Sequence, residues 1–108
     1  MPKYLVQASY TAEGVKGLIK DTASGRRGAV KDGVKALGGK LESMHYSLGD
    51  HDAVVIVDLP DHIAAASLSA AVGATGLVRI RTTALLTVEE MDKAVAKKSK
   101  YKGPGSAK

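Results

Sequence analysis

The sequence contains no cysteine, no tryptophan and no phenylalanine, and its only aromatic residues are four tyrosines. The first absence removes disulfides, thiolate nucleophiles and cysteine-ligated zinc or iron–sulfur centres. The other two leave the interior to be built from Ala, Val, Leu and Ile. No stretch approaches the roughly 18 apolar residues of a membrane span, and the start shows no basic segment followed by an apolar run and a small-residue cleavage site. The expectation is a cytoplasmic protein with no membrane partner. Acidic residues are missing after Asp92, where six lysines accumulate (Lys93, Lys97, Lys98, Lys100, Lys102 and Lys108). The net charge of +5 is therefore a property of the tail, since residues 1–92 carry ten basic against eleven acidic side chains. That distribution reads as a solvated, flexible basic tail over 99–108 following one domain over 1–98, rather than as a nucleic-acid footprint.

What is present is strong alternation and strong punctuation. Lys3 to Tyr10 alternates as a strand, with Tyr4, Val6, Ala8 and Tyr10 on one face. Thr11 caps a helix carrying Val15, Leu18 and Ile19, in which Ser24-Gly25 predicts a kink before Val30, Val34 and Leu37 resume the pattern. Gly38-Gly39 ends it. Lys40 to Leu48 and Ala53 to Leu59 are strand runs joined by the turn Gly49-Asp50-His51-Asp52, which favours an antiparallel hairpin. Pro60-Asp61 opens a second, alanine-rich helix that runs to about Thr75, and Gly76 closes it. Leu77 to Leu86 is a fourth strand, and the capping box Thr87 to Glu90 starts a short last helix whose Val88, Met91 and Val95 are expected to face inward.

This β-α-β-β-α-β order predicts an α+β, ferredoxin-like antiparallel sheet with both helices on one face. The third strand is apolar on both sides (Val54, Val55, Ile56, Val57), which predicts a cover on the second face as well. The expected cover is a second copy of the sheet, giving a dimeric α/β barrel, a homodimer that could assemble further.

The segments Tyr4-Leu5-Val6 to Tyr10-Thr11, Gly38 to Ser43, Asp52 to Asp61 and Arg79 to Leu86 together resemble the GYD-domain family, over nearly all of residues 1–102. The family's glycine, tyrosine and aspartate correspond here to Gly49, His51 and Asp52, with histidine in the tyrosine place. The resemblance implies a fold related to the dimeric α/β-barrel group, whose members include small monooxygenases, isomerases and lyases beside many binding proteins. It implies no particular reaction.

Chemistry-bearing residues gather around the hairpin and the strand ends: Tyr10, His45, Tyr46, His51, Asp52, Arg79 and Arg81. Histidine beside a carboxylate moves protons near neutral pH, and an arginine on a sheet face holds an anionic oxygen. His45 and His51 are thus candidate acid/base groups, Arg81 a candidate oxyanion holder, and Tyr10, Tyr46, Asp52 and Arg79 candidate ligand contacts. Strand parity puts His45 with Leu41 and Ser43, and Tyr46 on the opposite face with Glu42 and Met44. Gly39-Lys40 is no phosphate loop, because Val34 stands where a glycine is needed and Leu41 follows the lysine. The spacing of His45, His51 and His62 requires no metal, no cofactor motif occurs, and no Ser/His/Asp triad can be drawn. Single-stranded RNA binding on the sheet needs aromatics on the central strands, and the third strand has none. Two readings remain: a homodimeric small-ligand-binding or regulatory protein, and a cofactor-independent enzyme acting on a small anionic or carbonyl compound.

Overall fold

The computed structural model of the chain describes residues 1–106, so the last two residues of the expected tail lie outside the described residues. The elements follow the expected order: β1 (Lys3–Tyr10), α1 (Ala12–Ala36), β2 (Lys40–Tyr46), β3 (Ala53–Asp58), α2 (His62–Ala74), β4 (Val78–Leu85) and α3 (Val88–Ala96). Each helix starts where a side-chain oxygen satisfies a free backbone N–H. The Gly14 N–H donates to Thr11 Oγ1 at 3.2 Å, and the Ala64 N–H to Asp61 Oδ1 at 2.8 Å. Thr87 and Glu90 form the reciprocal capping box. Gly38, with φ +81°, takes the left-handed conformation that ends α1.

The break in α1 falls at Thr22, not at Ser24-Gly25. Thr22 has φ 68° and ψ 162°, a region costly for a residue with a Cβ, and its hydroxyl accepts the Gly25 N–H at 3.2 Å. A threonine that can cap the following turn takes the break, and Gly25 stays helical.

The sheet order is β2-β3-β1-β4 with every neighbour antiparallel, and α1 lies over β1 and β2 while α2 lies over β4, on the same face. The ferredoxin-like topology is therefore as expected, but the dimeric α/β barrel is not. The sheet is open: β2 and β4 are its two edges and it does not curl into a barrel. The apolar character of β3 does not require a closed barrel. As an inner strand between β2 and β1, it has Val54 and Ile56 half-buried by their lateral neighbours even on the face without a helix.

A bulge also changes the parity of β2. Leu41 pairs with Val57 and Ser43 with Ile56, so Glu42 is the extra residue. Leu41 consequently joins Met44 and Tyr46 on the helix face, instead of His45. Glu42 swings to Lys3, whose Nζ lies 3.0 Å from Glu42 Oε1 and 2.8 Å from Asp58 Oδ1, tying three strands at one end of the sheet.

The packed core is Tyr4, Val6, Val34, Val55, Val57, Leu59, Ala64 and Ala65, beneath the second half of α1 and the start of α2. The Tyr4 hydroxyl, otherwise stranded in this core, lies 2.6 Å from His62 Nδ1, with the two rings edge to face. His62, itself exposed in the first turn of α2, thus satisfies the largest buried side chain. The last helix departs from expectation too: Val88, Met91 and Val95 are 74%, 50% and 67% exposed, and no residue of α3 is buried. Among the described residues no helix is long and apolar enough to cross a membrane.

Candidate functional site

The four core strands present Val6, Ala8, Met44, Ala53, Val55, Val78 and Ile80 toward the helices, and much of what the helices return is small: Gly14, Gly17, Ala29, Gly33 and Ala71 stand among Leu18, Val30, Leu68 and Val72. With no phenylalanine or tryptophan to span the gap, the layers do not close there. A half-open cavity of about 410 Å³ remains between α1, α2 and the sheet. Sealed and empty, such a void would cost about 10 kcal/mol at roughly 24 cal/mol per Å³, as much as the whole stability of a typical domain. Its opening to solvent avoids that cost and leaves it accessible. The size and the apolar lining are those of a small-molecule pocket.

Its polar groups converge from separate elements. Tyr10 ends β1 and lines the cavity with Asp21 and Arg26 of α1. Arg26 Nη1 lies 3.4 Å from Asp21 Oδ2. Residues five apart do not face each other on a regular helix, so this pair exists because the chain breaks at Thr22 between them. Behind Tyr10 stands Tyr46 of β2, its hydroxyl 3.5 Å from that of Tyr10, at the outer limit of a hydrogen bond. Partial burial, with help from the Tyr10 hydroxyl, pushes the Tyr46 phenol up from 10.0 to about 12, against the opposing pull of the Arg26 charge.

That shift has a consequence in alkali. The folded phenol ionises less readily than the unfolded one, so its contribution to stability is fully present below pH 10.0 and is lost as the pH rises toward 12. At 40% exposure the effect is modest. Urea unfolding on both sides of pH 10 is expected to show a fall in stability that Tyr46→Phe lacks, and equal slopes in the two proteins would remove the assignment.

The other residues expected to act together are distributed over two faces. Asp52 spends its carboxylate on the backbone: Oδ2 accepts the Tyr10 N–H at 2.8 Å, while the Asp52 N–H donates to the Ala8 carbonyl at 2.8 Å. It fixes the end of β1, and Tyr10 with it. His51 lies on the side away from the cavity, its Nδ1 3.3 Å from Ser9 Oγ. His45, Arg79 and Arg81 are exposed on the open face. The pairings His45 with Val54, Val54 with Gln7 and Gln7 with Arg81 set His45 and Arg81 in one row across the sheet, at opposite edges. Three strand spacings separate them by about 14 Å, too far to grip one small substrate between an acid/base and an oxyanion holder. Arg79 lies opposite Ser9 and borders a more open depression of about 440 Å³ at the β4 edge with Thr11 and Ser69. Tyr10, Tyr46 and Asp52 are thus brought together, His51 and Arg79 both flank Ser9 on the other face, and His45 and Arg81 stand at opposite edges. Asp21 and Arg26 were missed, since only the irregular turn at Thr22 pairs them. No group of three or more histidine, aspartate or glutamate side chains gathers as a metal site among the described residues.

A family model described as the GYD domain matches residues 4–95. The chain belongs to the GYD-domain family. Nothing among the curated proteins or the solved structures matches it. The match spans β1 from Tyr4, the other three strands, both sheet-packing helices and nearly all of α3, so the cavity is wholly within the GYD domain. In the hairpin of this GYD domain, Asp52 serves a backbone role and His51 bonds a serine hydroxyl.

Proposed function

We propose that this GYD-domain protein is a homodimeric binding or ligand-responsive regulatory protein for a small, mostly apolar molecule with one anionic or hydrogen-bonding end. The observation that carries this reading is the 410 Å³ cavity, apolar on its sheet floor and polar at Tyr10, Asp21 and Arg26. An apolar body would replace water against Val6, Val55 and Ile80, at about 25 cal/mol for each Å² buried. A carboxylate or phenol on the ligand would meet the Arg26 guanidinium in place of Asp21, or the Tyr10 hydroxyl. Self-association is supported by the open sheet face, where Leu5, Val54, Ile56 and Leu85 are half-exposed among Lys3, Gln7 and Thr83 with no helix above them.

The test is thermal melting with hexanoate, octanoate, decanoate and the matching alcohols. An occupant at 100 times its Kd adds about 2.7 kcal/mol, which raises Tm by roughly 10 °C for a domain of this size. Arg26→Ala is expected to reduce the shift given by the acids and to leave that of the alcohols. Absence of any shift across the series, with no mass retained in native mass spectrometry of the purified protein, would sink the ligand-binding reading.

A further inference from the structure

Among the described residues two apolar surfaces are without partners, and they match each other. One is α3, whose Val88, Met91 and Val95 recur at helical spacing along one side and are all exposed. The other is the open sheet face with Leu5, Val54, Ile56 and Leu85. The stripe from Val88 to Val95 is about 10 Å long at 1.5 Å per residue. The sheet strip, from β3 across β1 to β4, is two strand spacings wide, also about 10 Å. Charge agrees as well. Glu89 and Asp92 flank the helix stripe, whereas Arg79 and Arg81 stand exposed along the β4 edge of the sheet strip. The helix does not turn back to its own sheet. Only Leu86 and Thr87 separate β4 from α3, and the capping box at Thr87 sets the direction in which the helix leaves. With α3 and the exposed residues after it included, the greatest extent is 62 Å and the radius of gyration 17.5 Å, against about 13 Å for a compact chain of this length.

We propose that α3 of each copy lies across the open sheet face of a second copy, a reciprocal two-fold exchange of helices that seats Val88, Met91 and Val95 on Leu5, Val54, Ile56 and Leu85. The inference rests on the self-association part of the proposed function and says which surfaces meet. A helix, not the other sheet, covers each sheet face, so no barrel forms. Exchange is isologous: the same two patches on both copies close the assembly, which ends at two. The acidic flank of α3 meets Arg79 and Arg81, which sets its direction across the strands.

The chain lends itself to a direct test because it has no cysteine of its own. Sedimentation and native mass spectrometry are expected to give a dimer for the wild type. Met91→Asp/Val95→Asp, both at exposed positions, is expected to raise the dimer dissociation constant by at least about 100-fold with unchanged far-UV circular dichroism. Chains carrying Met91→Cys, mixed with chains carrying Ile56→Cys, are expected to form a disulfide between copies on oxidation. A monomeric wild type would overturn both the exchange and the self-association on which it rests. A dimer that survives Met91→Asp/Val95→Asp, or Met91→Cys chains that cross-link mainly to one another, would overturn the exchange and leave self-association standing. A wild-type monomer whose sedimentation with anionic lipid vesicles is abolished by Met91→Asp/Val95→Asp would make α3 a membrane-surface helix instead. The ligand-induced melting shift, read on the same samples, reports separately on the cavity.

Discussion

Replacing Gly14 with alanine is expected to destabilise the protein by about 2 kcal/mol, although alanine is the better helix former. Gly14 occupies the first turn of α1, where a Cβ would collide with the Leu77 carbonyl. That carbonyl already accepts the Thr11 N–H at 2.9 Å and the Thr11 hydroxyl at 3.2 Å, and is held from both sides. Overpacking against backbone costs about 1–3 kcal/mol and disturbance of the Thr11 bonds about another 1, from which the helix propensity of alanine returns about 1. Gly17, one turn further along the same helix, is the internal control. A Cβ there meets nothing, so Gly17→Ala should stabilise by about 0.5–1 kcal/mol. Urea midpoints at constant m-value read both changes. If Gly14→Ala and Gly17→Ala shift the midpoint in the same direction, the close approach of α1 to the α2–β4 connection is wrong.

Ala71→Trp is expected to abolish ligand binding while making the protein more stable. Ala71 lies on the α2 wall of the cavity and is exposed, so an indole at this position has room to enter without displacing core atoms. Filling a cavity of this kind adds about 0.5–2 kcal/mol, because apolar wall that now meets water gains contacts. The same volume removed from the cavity excludes the ligand body, and affinity for the best carboxylate is expected to fall by at least about 100-fold. The opposite signs of the two effects matter. A variant that lost binding through damage to the fold would melt lower, and a variant that melts higher yet keeps full affinity would place the ligand elsewhere.

Local signals were the legible part. Thr11, Asp61 and Thr87 each stand at a helix start with an oxygen to offer, Gly38 stands at a helix end, and alternation marks all four strands. These features act within a few residues of chain and are decided by backbone hydrogen bonding, so they can be read in order along the sequence. Where strict periodicity misled, a single residue intervened. Glu42 entered β2 as a bulge and moved Leu41 to the other face, and Thr22 took the break that glycine composition assigned to Gly25. The two-sided apolarity of β3 pointed to a closed barrel, but an inner strand is sheltered laterally by its neighbours whether or not the sheet closes.

The sequence by itself determined the order of elements, the helix caps, the lack of phenylalanine and tryptophan and the opposition of His45 to Tyr46 across the sheet. All of these depend on residue type and parity. Only the tertiary structure decided that His45 and Arg81 are at opposite edges, that Tyr10, Asp21 and Arg26 line one cavity with Tyr46 against Tyr10, and that α3 leaves the sheet rather than covering it. The physical reason is the range of the forces that decide each matter. Caps and pleats are settled by neighbours along the chain, whereas the gap between α1 and α2 is set by small side chains far apart in sequence that meet only once the layers have packed.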